Sequence, residues 1–409
     1  MKKFIGLVVL ILFIIFGYLY INRDKKAYED INDLNITQDK LGIINDYYIY
    51  GNHFNIRGSI DIDNDITNYK LVLKNKDKEI DLDCNFDDIN FFTSDLINKG
   101  VNLDKLDIGT YYLLIKDNDK YYNLKNNTDY ENLEYYTVTN NNQNKKVNII
   151  FNDDNVEFKI EKTKLPSDVY DITIDPGHGG VDTGAFYKYN GNTYYESNIT
   201  LDIALKIKEE LENHGFKVML TRNSDKDLDY YNESGRAVIP NKYHTKLCLS
   251  IHVNSESNMK YGGVEVYIPN DIDYAFSRSL ANNLSTINGY SKKIDNRVED
   301  GIYFNAFNSE SIIKANKENV AKGLKEYEIE VNAPEMYMIR EVGGKLTHAY
   351  QDGRNKKYGL NPYYNSNIVA EGYLIELGYI TYLDDLDKFI NNSEDFSKMI
   401  SKSILDFYK

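Results

Sequence analysis

The sequence predicts an α/β domain, an open and mostly parallel sheet flanked by helices. A small all-β sandwich-like domain and an N-terminal transmembrane helix precede it. Three observations carry this. Residues 4–21 are an uncharged, mostly apolar run of 18 residues. Residues 45–163 read as short alternating runs broken by Asn, Asp and Gly turns, the pattern of a small sandwich. Beyond Pro166, apolar strands alternate with helical stretches, which builds an α/β sheet.

The N-terminal run, Phe4 to Ile21, can cross a bilayer with little tilt. It exceeds a usual signal h-region and no A-x-A-like cleavage site follows, so it reads as an uncleaved signal anchor. Lys2 and Lys3 compete with Arg23, Lys25 and Lys26 on the other flank, so local charge alone does not orient it. Residues 22–44 are polar and of mixed charge, a spacer. Within 45–163 the strands are "HFNIRGSIDI", "YKLVLKNKDKEIDL", "TYYLLIKD", "KVNIIFND" and "NVEFKIEK", and "SDLINKG" reads as a short helix. No catalytic constellation lies here; the part reads as a spacer or binding module.

The α/β domain spans 168–409. Strand "VYDITID" leads into a glycine turn. A helix follows from about Asn198, with Ile199, Ile203, Ile207 and Leu211 on one face. Ser197 or Asn198 is its expected cap and Gly215 its stop. Strands "FKVMLT", "KLCLSIHVN", "GVEVYIP" and "EGYLIELGYI" come next, the last two separated by a long insertion at about 270–370. Residues 310–330 within it read as a helix, placed to wall a substrate groove or to cover it.

The 409 residues carry a formal net charge of −15, which argues against nucleic acid as a partner. The 37 tyrosines, with no tryptophan, offer faces on which sugar rings can stack. Cys84 and Cys248 belong to different domains, so no disulfide is expected, and Cys248 reads as a buried thiol in an apolar strand.

The glycine turn "ITIDPGHGGVDTGA" holds one of only six histidines. A P-loop would need Gly-Lys-Ser/Thr, and a dinucleotide site GxGxxG opening a helix; neither is present. Four residues stand at or near element ends: His178, Glu196 before the helix, His252 ending "LCLSIHVN", and Glu376 in "GYLIELGY". A carboxylate in so apolar a strand is costly unless a cation or proton meets it. Two imidazoles and a carboxylate can form a catalytic zinc set, with a further carboxylate to move the proton. Each has a plainer reading: a polar turn for His178, a helix N-terminal acid for Glu196, a hydrogen-bonded core histidine for His252, a buried ion pair for Glu376. The spacings of 18 and 56 residues match no short metal motif, so residue types alone leave both readings open. His53, His214 and His244 receive no role, while His348, in the insertion, is placed where it could face substrate.

In order, "IDPGHGGVDTGA", "YYESNITLDIALKIKEELENHGFKVMLTR", "LSIHVN", "GVEVYI" and "LIELGYI" resemble the zinc-dependent N-acetylmuramoyl-L-alanine amidases (amidase type 3). The resemblance covers about residues 169–409, excluding much of 270–370. It implies His178, Glu196 and His252 as ligands of one zinc ion, Zn2+, and Glu376 as the catalytic carboxylate. Thr221-Arg222 and Arg236 also fit the pattern, without an assigned role. The implied reaction cleaves the amide between N-acetylmuramic acid and the L-alanine of the stem peptide. Peptidoglycan is then the substrate partner, and the body of the chain faces the wall outside the cytoplasmic membrane, which holds the N-terminal helix. An activator protein is compatible with this, though no motif identifies one. Two rival readings keep the same residues: another zinc-dependent wall peptidase, or a non-catalytic cell-wall-binding scaffold.

Overall fold

The computed structural model describes most of residues 34–408; the longer stretches outside it are 1–33, 37–41, 61–68, 128–130, 138–143 and 350–360. The expected transmembrane helix therefore lies outside the described residues. Among those described, no helix is long and apolar enough to cross a membrane.

The C-terminal domain contains β1 (Ile172–Pro176), β2 (Phe186–Tyr189), β3 (Asn192–Tyr195), α1 (Glu196–Asn213), β4 (Val218–Leu220), α2 (Ile239–Lys242), β5 (Leu247–Asn254) and β6 (Glu265–Tyr267). It continues with α3 (Ala275–Asn288), β7 (Arg297–Glu299), β8 (Ile302–Tyr303), α4 (Ser309–Ala321), α5 (Tyr337–Val342), β9 (Ile368–Val369), β10 (Glu371–Tyr379), α6 (Leu383–Asn391) and α7 (Ser393–Tyr408). The sheet order is β4-β1-β5-β10-β6-β8-β7. The first four strands are parallel, while β6 runs antiparallel to β10. The domain is α/β as expected, and its sheet is mixed.

Helix α1 buries the expected stripe: Ile203, Ile207 and Leu211 are fully buried. Its start corrects the sequence reading. The N-cap is Tyr195, without a side-chain cap bond, and neither Ser197 nor Asn198 serves. The orphan amides of its first turn donate instead to the preceding turn, Glu196 N–H to Ala185 O (2.8 Å) and Ser197 N–H to Thr183 O (3.1 Å). That docking fixes where Glu196 stands.

Helices α1, α3 and α7 pack on one face of the sheet around Ile174, Leu249 and Ile375. The long insertion supplies cover for the other face. Its short helix α5 sets Met338 and Val342 against Cys248, and Ile339 against Leu374, Tyr267 and Tyr303. Cys248 is thus a buried free thiol. The helix expected at 310–330 is shorter, α4 ending at Ala321 before Gly323, and Asn319 is its buried residue.

The β-part begins with a strand at Gly42–Tyr50, and its sheet is continuous and folded on itself. Ile49, Phe54 and Ile56 from one half face Leu113, Ile149 and Phe158 from the other across a shared core. "SDLINKG" is not helical but a run of turns. Its backbone and Asn98 bond to the α/β domain instead: Ile97 N–H donates to Asp271 O, and Asn98 binds Asp273 and Glu371. Tyr48, Tyr50 and Ile97 enter the α/β core itself, and β9 pairs in parallel with the Gly42–Tyr50 strand.

Candidate active site

The site lies where β1 and β5 end, as open α/β sheets place their sites. After β1 the chain turns sharply through His178, which adopts a left-handed conformation at φ 59°. Two buried arginines grip this turn. Arg222 donates to the carbonyls of Pro176 (3.0 Å), Gly177 (2.8 Å) and Ser197 (2.7 Å). Arg236 donates to Pro176 O (2.8 Å) and to His178 O, and pairs with Asp175 at 2.7 Å. Asp175 in turn accepts from Thr221 (2.5 Å) and Ser250 (2.7 Å), joining β1 to its neighbours. Burial, then the charge of Arg236, pushes Arg222 down to about 10, so it stays a cation at neutral pH.

Glu196 opens α1 and is 4% exposed. Its Oε2 accepts from Ala185 N–H (2.8 Å) and its Oε1 from Val253 N–H (3.0 Å). That same Oε1 lies 3.2 Å from His178 Nε2 and 3.0 Å from His252 Nδ1. The two imidazoles stand edge to face, 5.0 Å between centroids. His178 Nδ1 meets Asp182 Oδ2 at 2.9 Å, the carboxylate–imidazole contact that orients a ring and turns its other nitrogen inward.

Burial works to raise the Glu196 pKa, but the hydrogen bonds and charges of both imidazoles hold it well below the carboxylate range. Burial works to lower His178, yet Glu196 and Asp182 raise it on balance. A buried carboxylate oxygen with two ring nitrogens aimed at it attracts a cation. One ligand atom each from His178, Glu196 and His252 lies within 4.8 Å of the others. Two nitrogens and one oxygen so close suit zinc and leave a fourth position open. The residues fit the ion.

Glu376 sits beside His252 in the parallel β5–β10 register. The structure thus brings all four expected residues to one end of the sheet. His348 is not among them; its Nδ1 pairs with Glu330 at 2.8 Å. Sequence reasoning missed Asp182, four residues beyond His178, whose carboxylate is visible in "HGGVD" but whose turn is not. It noted Arg222 and Arg236 without seeing what they hold. It also passed over Glu265 in "GVEVYI", although a lone acid in an apolar strand is the signal that singled out Glu376.

An α/β sheet bearing two imidazoles and two carboxylates at its strand ends has the make-up of a hydrolase. Residues 172–407 match the family described as N-acetylmuramoyl-L-alanine amidase. N-acetylmuramoyl-L-alanine amidase AmiA of Salmonella typhimurium is 37% identical over 106 residues, 26% of this chain and 35% of that protein. The sporulation-specific N-acetylmuramoyl-L-alanine amidase of Bacillus subtilis is 40% identical over 103 residues, 25% of this chain and 36% of that protein. The matched stretch is thus about a third of each relative's length. AmiC2 of Nostoc punctiforme superposes with a TM-score of 0.36 at 21% identity, covering 59% of this chain and 98% of that one. The chain belongs to the N-acetylmuramoyl-L-alanine amidase family, and residues 172–407 are a peptidoglycan amidase domain.

Proposed function

We propose that this chain is a zinc-dependent N-acetylmuramoyl-L-alanine amidase acting on the wall side of the cytoplasmic membrane. The observation that carries the reading is the convergence of His178, Glu196 and His252 within 4.8 Å, with Glu376 in register beside His252. These three residues would hold the ion. Held there, zinc would supply a Lewis acid for the scissile carbonyl and for the attacking water. Glu376 takes the proton from the attacking water and passes it to the departing L-alanine amine. Asp182 keeps the His178 ring oriented. Arg222 and Arg236 keep the turn that carries it from relaxing.

The test is mass spectrometry of purified peptidoglycan digested by the full chain, with and without chelator. Intact glycan strands and newly freed L-alanine amines are expected, and chelation should abolish both. Cleavage within the stem peptide would replace this reading with a wall peptidase. Glu376→Ala should keep its zinc while activity falls by roughly 10²-fold or more. His178→Ala and His252→Ala should lose the metal as well. Full activity in Glu376→Ala overturns its role.

The apolar run from Phe4 to Ile21 would tether the domain, since its substrate lies only outside the membrane. Protease added to wall-stripped cells should then digest the body of the chain while the membrane stays intact. A protected C-terminal tag would reverse the orientation.

A further inference from the structure

A second acid stands next to Glu376. Glu265 on β6 lies directly opposite it in the antiparallel β6–β10 register, and Glu376 lies beside His252. The three form one row across β5, β10 and β6, with side chains on the same face. Two carboxylates directly opposite each other destabilise a sheet, so packing alone does not account for the pair.

Glu265 is fully buried, between the equally buried Val264 and Val266. Taking a carboxylate out of water is expensive unless its oxygens are satisfied. Here each oxygen takes two neutral donors. Oε1 accepts from Tyr379 Oη (2.5 Å) and Ser291 Oγ (2.7 Å). Oε2 accepts from Tyr267 Oη (2.6 Å) and Asn254 Nδ2 (3.2 Å). Two donors on each oxygen are what an acceptor-only carboxylate takes.

The donors come from four separate places. Asn254 follows His252 by two residues at the end of β5. Tyr379 follows Glu376 by three at the end of β10, Tyr267 ends β6, and Ser291 lies just beyond α3. The ends of the strands that carry His252 and Glu376 are therefore tied to one buried anion. Glu376 is close enough for its charge to act on two of the donors. Burial raises the pKa of Tyr267 and Tyr379, and Glu265 and then Glu376 raise it further.

We infer that Glu265 is a positioning residue, the anchor that holds the Glu376 strand end against the His252 strand so that the Glu376 carboxyl meets the reacting water. It touches no substrate. The inference rests on Glu376 as the proton carrier. It predicts a loss in kcat that exists only while Glu376 is present.

The test is Glu265→Gln, an isosteric change that removes the charge, made in the full chain alone and together with Glu376→Ala. Zinc content and KM should stay within about twofold of the parent, while kcat falls by an order of magnitude or more, since misplacing a reacting group is costly. In the Glu376→Ala background the same substitution should change the residual rate less than about twofold, because coupled residues are non-additive. Equal losses in both backgrounds, a lost metal, or an unchanged kcat each overturn the inference. If Glu265→Gln does not fold, Tyr379→Phe removes one donor and leaves the anion, and the same comparison applies. Full activity in Glu376→Ala would instead remove the proton-carrier reading and the inference with it. An inactive Glu376→Ala beside a fully active Glu265→Gln removes the inference alone.

Discussion

At Gly177 a methyl group would stand 2.4 Å from Cε1 of His252 and 2.6 Å from its Nδ1. The His252 imidazole reaches Glu196 because this backbone carries no Cβ. Gly184, at φ 64°, answers the same need from the other side, since a Cβ there would lie 2.6 Å from both Glu196 Oε2 and His178 Cδ2. Gly177 and Gly184 thus make room for the side chains of His252, His178 and Glu196. Gly177→Ala should fold, because the strand before it is held by the β1–β5 pairing and by Arg222 and Arg236. Its added methyl should push the His252 ring off Glu196, and bound zinc should fall well below one per chain. Metal analysis beside circular dichroism checks this; a folded variant with full zinc would show that the ring yields without loss.

At the scale of elements, what was legible in the sequence is what each element decides locally. Helix α1 declares itself by Ile203, Ile207 and Leu211 at helical spacing, and β5 by Leu247, Leu249, Ile251 and Val253 at alternate positions, and both are found. Contacts between elements were not legible. "SDLINKG" has the composition of a helix, but Asn98 spends its amide on Asp273 and Glu371, some 175 and 273 positions away. The cap of α1 was misplaced because its amides are satisfied by the backbone of the 183–185 turn, which leaves no trace in residue type. For Glu265 the acid in an apolar strand was legible, but its donors at 254, 267, 291 and 379 were not, because they meet only once β6 runs antiparallel to β10. Elsewhere in the insertion, α5 serves the sheet, with Ile339 buried on Leu374. By contrast Ile313 and Val320 of α4 stay 54% and 57% exposed, so α4 contributes little to that core.

Across the whole molecule, the β-part is joined to the amidase domain through a polar seam. Its centre is Asp104, whose Oδ2 accepts from Lys246 Nζ (3.0 Å) and Asn52 Nδ2 (3.0 Å), while Oδ1 accepts from Tyr135 Oη (2.8 Å). Lys246, 3.9 Å from Asp171 as well, belongs to the amidase domain and opens onto β5. A cavity of about 190 Å³ lies close by, lined by Asn52, Asn98, Asp273 and Glu371 from both parts. Burial works to raise the Asp104 pKa, but the Lys246 charge and the hydrogen bonds from Asn52 and Lys246 lower it from 3.8 to about 2. The folded value lies below the unfolded one. The carboxylate therefore adds stability above about pH 4, and that stability drains away as pH falls toward 2. A shift of this size is worth roughly 2 kcal/mol at neutral pH, with about half of it gone by pH 3. Asp104→Asn should therefore be less stable than the parent by roughly that amount at pH 7, and the gap should narrow steadily between pH 5 and pH 3. Urea unfolding of both proteins across that range measures it. A gap that stays constant with pH would mean that the Asp104–Lys246 contact does not hold the two parts together through its charge.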